Sequence, residues 1–127
     1  MNLLLDTNCL YWWLEDPARL SSAAQGSIAA SSSAPVVSAV VPWELAIKTA
    51  LGKIDARPLL DIWDRKMNEE GFSELAIESV HAIRAGLLPL HHRDPFDRML
   101  VAQAHATGWP IVSADAIFER YGVRRIW

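Results

Sequence analysis

The sequence lacks most of the features that mark secreted, zinc-binding or membrane-spanning chains. It contains one cysteine, so no internal disulfide can form, and no CxxC pair is present to bind zinc. No apolar run approaches the roughly 18 residues that a membrane-spanning helix requires. The N-terminus also lacks the basic segment and long apolar stretch of a secretory signal. We therefore expect a cytoplasmic protein that has no contact with membranes.

An excess of positive charge is also missing. The chain has 12 Lys and Arg against 15 Asp and Glu, a net charge of −3, so its overall charge does not indicate nucleic-acid binding. Neither an internal repeat nor a low-complexity segment interrupts it. With 127 residues and 51% hydrophobic residues, the sequence predicts a single domain over residues 1–127 that buries a sizeable core.

The stretch HHRDPFDRMLVAQA, residues 91–104, organises the rest of the chain. Pro95 suits the first turn of a helix, where its missing N–H costs nothing. Asp94 precedes it in a favoured capping position, and Asp97 lies in the first turn, where the helix dipole favours negative charge. The apolar residues that follow predict a mostly buried helix over residues 95–107. The Asp97 carboxylate would then be held rigidly while its oxygens still reach solvent.

Short apolar strands alternate with helices along the whole chain. Strands are predicted at residues 2–5, 34–38, 72–77, 111–113 and 123–127. Helices are predicted at residues 9–16, 22–31, 41–51, 58–70, 78–87, 95–107 and 116–121. This alternation indicates an α/β fold in which a parallel sheet is covered by helices on both faces.

Four acidic residues occupy equivalent places in this pattern. Asp6 and Asp115 follow strands, Glu44 begins the helix after a strand, and Asp97 begins the buried helix. In a parallel sheet these ends point the same way, so the four carboxylates can converge. Converging carboxylates repel one another unless a cation lies among them, and hard oxygen ligands suit Mg²⁺ or Mn²⁺. The alternative for each acid, and the favoured one for Asp94, is a helix-capping or dipole-stabilising role.

The segments LLDTN, PWELAIK, DPFDRMLVAQA and IVSAD, in this order, resemble the PIN-domain ribonucleases, and most of all the VapC-type toxins of bacterial toxin–antitoxin pairs. The resemblance covers nearly the whole chain. It implies a PIN-like three-layer fold with a parallel sheet of about five strands, and Mg²⁺-dependent RNA cleavage in which Mn²⁺ substitutes. It also implies a VapB-like antitoxin as partner and a homodimer. The catalytic and metal-binding acids that it implies are Asp6, Glu44, Asp97 and Asp115. The Thr7 and Ser113 hydroxyls fall close to these acids, where we expect them to bind substrate.

Several basic residues are candidates for contacts with the RNA. Lys48 lies four residues after Glu44 on the same helix face, where it could orient that carboxylate, touch a substrate phosphate or form a surface ion pair. Arg93 and Arg98 flank Asp97 and are expected to hold the RNA backbone, with solvated charge as the alternative. Arg124 and Arg125 are weaker candidates of the same kind. The loop histidines His91 and His92 are expected to be exposed rather than to act as acids or phosphate contacts.

The cysteine and the tryptophans allow a plain and a functional interpretation. Cys9, close to Asp6, is expected to be a small buried hydrophobe rather than a nucleophile. The chain has six tryptophans, more than a small core requires. Some are expected to line a groove for a partner helix, with core packing as the alternative. These candidates are Trp12, Trp13, Trp43 and Trp63.

Two rival functions remain beside the metal-dependent endoribonuclease. A haloacid-dehalogenase-like phosphatase also places an aspartate after its first strand and uses Mg²⁺. That chemistry requires a second aspartate two residues later, and Asn8 occupies this position. A non-catalytic PIN-like module would only bind RNA or a protein, and the intact set of acids weighs against it.

Overall fold

Five short strands form one sheet in which every neighbouring pair runs parallel. The structure is a computed structural model that describes all residues, Met1–Trp127. The strand order across the sheet is β3-β2-β1-β4-β5. The predicted α/β class and its parallel sheet are therefore confirmed. The strands are β1 (Asn2–Leu5), β2 (Ala34–Ser38), β3 (Ser73–Leu75), β4 (Ile111–Val112) and β5 (Arg125–Ile126).

Helices connect the strands and flank the sheet. They are α1 (Thr7–Glu15), α2 (Ser22–Ala29), α3 (Val40–Ala50), α4 (Arg57–Asp61), α5 (Trp63–Glu70), α6 (Ser79–Leu87), α7 (Pro95–Thr107) and α8 (Ile117–Arg120), with a short 3₁₀ helix at Pro17–Arg19. None of them is both long enough and apolar enough to span a bilayer.

The prediction of one continuous helix over residues 58–70 was wrong. The chain leaves helical geometry at Ile62, where φ is −120° and ψ is 22°, and two helices result. Leu59 and Met67, one on each side of the break, are both buried in the common core. The change of direction therefore lets α4 and α5 each contribute an apolar side chain to that core.

Strand β1 lies at the centre of the sheet, and its leucines Leu3, Leu4 and Leu5 are fully buried. From β1 the chain moves outward through β2 and β3, and it then returns past β1 to form β4 on the other side. Ligands of open α/β sheets bind in the crevice at the carboxyl ends of the strands where the strand order reverses in this way. Asp6 directly follows β1 and Ser113 directly follows β4, so both lie at this crevice.

Helix α7 begins and ends as the sequence predicts. Asp94 caps it, since its Oδ1 accepts hydrogen bonds from the backbone N–H groups of Phe96 at 2.8 Å and Asp97 at 3.2 Å. Gly108 ends it in the left-handed conformation, with φ of 73°, which favours glycine. Most of its middle section is buried. The cap fixes the first turn of α7, and with it the backbone of Asp97.

Candidate active site

Asp6 is buried at the start of α1, where its carboxylate caps the helix. Its Oδ1 accepts a hydrogen bond from the backbone N–H of Cys9 at 2.7 Å. Burial raises the pKa of Asp6, and the nearby charge of Glu44 raises it further, while hydrogen bonds from Ser113 and Cys9 lower it. The net result is a carboxylate whose negative charge is not fully compensated by the protein.

Glu44 is also buried, and both of its carboxylate oxygens are engaged. The Thr7 hydroxyl donates to Oε1 at 2.6 Å, and the Lys48 ammonium lies 2.6 Å from Oε2. Lys48 therefore forms an ion pair with Glu44, the contact that both the orienting role and the plain ion pair predict. Thr7 is near the acids as expected, but its assignment to substrate binding needs correction because its buried hydroxyl is spent on Glu44.

Asp97 lies in the first turn of α7 and contacts a histidine from the preceding loop. The Nε2 atom of His92 is 2.8 Å from Oδ2 of Asp97. Burial raises the pKa of Asp97 to about 6, the charges of Asp94 and Asp6 raise it as well, and His92 opposes the rise. Since the Asp6 charge acts on Asp97, and the Glu44 charge acts on Asp6, these three acids form one electrostatic group.

The chemistry of this group fits a hard divalent cation. Neither Asp6 nor Asp97 forms an ion pair with a lysine or an arginine, whereas Glu44 has Lys48. The carboxylates of Asp6 and Asp97, whose pKa values are raised, gain from a positive ion, and carboxylate oxygens are the ligands that Mg²⁺ and Mn²⁺ prefer. Beside this group, ligand atoms of His92, Asp94 and Asp97 lie within 4.8 Å of one another. Asp97 belongs to both arrangements, but one oxygen of Asp94 already caps α7.

No contact joins Asp115 to the group formed by Asp6, Glu44 and Asp97. Its side chain is exposed, and its Oδ1 accepts a hydrogen bond from the backbone N–H of Ile117 at 2.9 Å. The carboxylate thus forms a local turn with the first residue of α8, whose N-cap position is Ala116. Ser113 is fully buried, and its Oγ accepts from the backbone N–H of Asp115 at 3.0 Å. Its predicted contact with substrate is therefore corrected to support of Asp6 and of the turn after β4.

The expectation that Arg98 holds the RNA backbone was wrong. Arg98 is buried, because α7 turns this side chain inward beneath the loop formed by residues 88–93. Its guanidinium donates hydrogen bonds of 2.9 to 3.2 Å to backbone carbonyls of this loop and of the end of α6, namely those of Ala85, Leu88, Pro89 and His92. Arg98 therefore fixes the loop that presents His92 to Asp97.

The prediction that the His92 side chain is exposed was wrong. His92 is half-buried, and its backbone N–H donates to the Tyr121 hydroxyl at 3.0 Å. The signal that was available is its place just before the capped start of α7, since a loop entering a helix N-terminus there passes the first-turn acid. His91 is exposed as expected. Arg93 is exposed and forms no ion pair, so it remains free to meet a substrate.

Packing in or against the core accounts for the positions of Cys9 and most of the tryptophans. Cys9 is fully buried, and both burial and the Asp6 charge raise the pKa of its thiol, so the thiol stays neutral. Trp12, Trp13 and Trp63 are partly buried and packed against the core. Trp63 also lines two surface pockets. Trp43 differs from them because 54% of it is exposed.

Sequence comparison relates this chain to a known family and to a named relative. A family model described as PIN domain matches residues 3–124. The Mycobacterium tuberculosis protein named Ribonuclease VapC22 is 34% identical over 115 residues, which cover 89% of this chain and 86% of that protein.

Two solved structures share the fold at low sequence identity. One is VapBC2 from Rickettsia felis bound to a DNA fragment from their promoter, with a TM-score of 0.71, 14% identity, and 98% of this chain and 97% of that chain covered. The other is a toxin–antitoxin complex from Klebsiella pneumoniae, with a TM-score of 0.63, 17% identity, and 89% and 86% covered. At these identities the two structures establish a common fold.

Proposed function

Because the chain belongs to the PIN domain family, in the branch of the VapC ribonucleases, we propose that it is a Mg²⁺-dependent endoribonuclease. It hydrolyses RNA phosphodiester bonds and acts as the toxin of a toxin–antitoxin pair. The observation that carries the metal dependence is the group formed by Asp6, Glu44 and Asp97. The charge of Asp6 acts on Asp97 and the charge of Glu44 acts on Asp6, and neither Asp6 nor Asp97 pairs with a lysine or an arginine.

In this proposal Asp6 and Asp97 are the principal ligands of the ion, and Glu44 completes the acidic set. When bound, the ion supplies Lewis-acid activation of water and neutralises charge at the phosphodiester. The chain's own contribution is rigidity. The Cys9 N–H holds Asp6, and the Thr7 hydroxyl and Lys48 hold Glu44, so the oxygens are positioned before substrate arrives.

The contacts with RNA are assigned to exposed cations near the acids. Arg93 is free in the loop before α7, and Lys48 is 36% exposed at its side chain while it touches Glu44. Phosphate contacts position a nucleic acid without reading its sequence. We therefore assign the RNA backbone to Arg93 and Lys48, and leave Arg98, Thr7 and Ser113 as supports of the acids.

The first experiment is cleavage of a single-stranded RNA by the wild type and by Asp6→Asn and Asp97→Asn. Both variants should lose at least 100-fold in kcat/KM, while far-UV circular dichroism stays unchanged. Asp64→Asn, an exposed aspartate on α5, is the matched control and should cleave like the wild type. Full activity in both site variants would refute the assignment.

A second experiment tests the metal and excludes covalent chemistry. EDTA should abolish cleavage, and Mg²⁺ or Mn²⁺ should restore it, because hard oxygen ligands suit these ions. Cys9→Ala should keep its activity, since the neutral buried thiol takes no part. Cleavage that survives EDTA and disappears in Cys9→Ala would require a thiolate nucleophile instead.

The same protein preparation tests the alternative that the chain is a phosphatase. Asn8 is exposed at the position where that chemistry requires a second acid. We expect cleavage of RNA without hydrolysis of a phosphomonoester such as p-nitrophenyl phosphate. The reverse pattern would favour the phosphatase, and binding of RNA without turnover would favour the non-catalytic module.

The partner in this proposal is a short VapB-like antitoxin whose C-terminal segment folds on binding. A basic side chain of that segment would compensate the negative charge of Asp6 and Asp97 and exclude the ion. Expression of the chain alone should arrest growth, and co-expression of the short protein encoded beside it should restore growth and allow co-purification. Harmless expression of soluble, folded wild-type chain would contradict the toxin role and leave the nuclease.

We also propose a homodimer. Val80, Ile83 and Leu87 are exposed and lie on one side of α6, three and four residues apart. Exposed apolar surfaces of this kind are usually covered in solution, and a two-fold axis would cover both copies at once. Light scattering should give twice the chain mass of 14.1 kDa. Ile83→Glu should shift the mass toward the monomer.

A further inference from the structure

Trp43 and Phe96 form an aromatic pair immediately before two of the three acids. Their ring centroids are 5.1 Å apart, and the planes meet at 77°. Trp43 precedes Glu44 on α3, and Phe96 precedes Asp97 on α7. Because neighbouring Cα atoms are about 3.8 Å apart, the pair is attached directly beside the acidic group.

The exposure of Trp43 is not explained by the core. Its exposed fraction is 54%, against 37% for Trp127, and the other tryptophans are packed against the core. Phe96, in contrast, is itself packed against the core, so it forms a fixed support for the indole. In an edge-to-face contact Phe96 covers at most one face of the indole. At least one face of Trp43 is therefore left uncovered by its partner.

We propose that the indole of Trp43, braced by Phe96, stacks on an unpaired base of the RNA next to the bond that is cleaved. This inference rests on the proposed ribonuclease function and deepens it. Base–aromatic stacking contributes about 1–3 kcal/mol per base and tolerates any base. The platform selects unpaired nucleotides, because a base inside a duplex does not offer its face.

The residues around Trp43 favour an RNA base, rather than an antitoxin segment, as the group that contacts the indole. Lys48 lies on the same helix as Trp43, with its side chain 36% exposed, and the exposed Arg93 lies in the loop three residues before Phe96, so each ring has a cation near it in the chain for a flanking phosphate. The exposed α3 residue nearest in sequence is Ala46, which adds little apolar area. A single aromatic face flanked by cations is the pattern of single-stranded nucleic-acid sites. A helix of a partner would require a broader apolar groove.

The test compares Trp43→Ala with Trp43→Phe, and with Trp127→Ala as the control at the other exposed tryptophan. Trp43→Ala should raise KM for single-stranded RNA about 5- to 150-fold, the range that corresponds to the stacking energy. Trp43→Phe should stay within a few-fold of the wild type, because it keeps an aromatic face. Trp127→Ala should leave KM unchanged. Equal thermal midpoints would show that all variants are folded.

A second arm uses RNA in which one nucleotide lacks its base, moved stepwise along the strand. The wild type should lose affinity when the missing base reaches one position beside the cleavage point, and Trp43→Ala should show no further loss there. The same penalty in both proteins would overturn the stacking assignment. An unchanged KM in Trp43→Ala would overturn it too, and loss of antitoxin binding alone would assign Trp43 to the protein partner.

The stacking role of Trp43 and the ribonuclease function can be refuted independently. Wild-type protein that cleaves RNA while Trp43→Ala cleaves it with the same KM refutes only the platform. Wild-type protein that neither binds nor cleaves single-stranded RNA in Mg²⁺ refutes the ribonuclease function itself.

Discussion

The ammonium nitrogen of Lys48 lies 2.6 Å from Oε2 of Glu44, one helical turn earlier on α3. The carboxylate is buried, whereas the lysine side chain is 36% exposed. Lys48 thus neutralises one of the three acids, whereas Asp6 and Asp97 have no lysine or arginine partner. The excess negative charge of the candidate site is therefore concentrated on those two aspartates.

Replacement of Lys48 should destabilise the protein through Glu44. Lys48→Met should lower the free energy of unfolding by about 1 kcal/mol, a modest value because the lysine is partly solvated. Urea denaturation measures it. The double variant Lys48→Met, Glu44→Gln should recover most of the loss, because it removes the uncompensated charge. If the double variant is no more stable than the single one, the pair is not coupled.

The stability of the metal-free protein should fall as pH rises from about 4 to 6. Burial raises the pKa of Asp97 from 3.8 to about 6, so the folded state keeps a proton that the unfolded chain releases. The stabilisation is complete below pH 3.8 and is lost through pH 6, by up to about 3 kcal/mol for this shift. Asp97→Asn in EDTA should flatten this part of the profile, measured by thermal unfolding.

Saturating Mg²⁺ should reverse the trend for the wild type. Protons compete with the ion for the Asp97 carboxylate, so the metal's contribution to stability grows as pH rises. A wild-type profile that is the same with EDTA and with Mg²⁺ would contradict the participation of Asp97 in metal binding.

Arg98 should be among the most sensitive positions of the chain. Arg98→Lys keeps the charge, but its ammonium cannot reach the carbonyls bound by both guanidinium nitrogens, so we expect a loss of about 2–3 kcal/mol in unfolding free energy. The looser His92 loop should also lower kcat. Arg120→Lys, an exposed arginine on α8, should change stability by less than about 0.5 kcal/mol. Equal effects of the two substitutions would argue against the bracing role.

Substitution of Asp115 distinguishes a local structural role of its carboxylate from a role in metal binding. Asparagine accepts a backbone hydrogen bond two residues along the chain as aspartate does, so Asp115→Asn should keep the hydrogen bond to Ile117 while it removes the charge. We expect an activity loss far smaller than that of Asp97→Asn, and no change in the Mg²⁺ concentration needed for half-maximal cleavage. A large increase in that concentration would return Asp115 to the ligand set.

Local chemistry made much of the fold predictable from sequence. The bounds of β1, β2 and α7 and the cap at Asp94 follow from apolar runs bounded by aspartate, proline and glycine, which act within a few residues. The break at Ile62 was not predictable, because both halves have helical periodicity and the bend depends on how Leu59 and Met67 meet the core.

Within the site, position in the sequence identified the acids but not the roles of the residues beside them. Asp6, Glu44 and Asp97 follow from their places at strand ends and helix starts. Arg98 was assigned to RNA because it adjoins Asp97, yet one residue along a helix turns a side chain by about 100°. That rotation places Arg98 inside and Asp97 at the surface of the site, and the partners that hold Arg98 come from a loop whose path the sequence does not specify.

The Tyr121 hydroxyl joins the end of the chain to this loop. It donates to the Pro89 carbonyl at 2.7 Å and accepts from the His92 N–H at 3.0 Å. The loop that carries His92 is thus anchored to a residue that comes after β4, near the C-terminus. Because these hydrogen bonds join positions that are 29 and 32 residues apart in the sequence, the loop takes its observed path only when the segment after β4 is folded against it. Local unfolding of that C-terminal segment would therefore release His92 from Asp97, although the two residues are close in sequence.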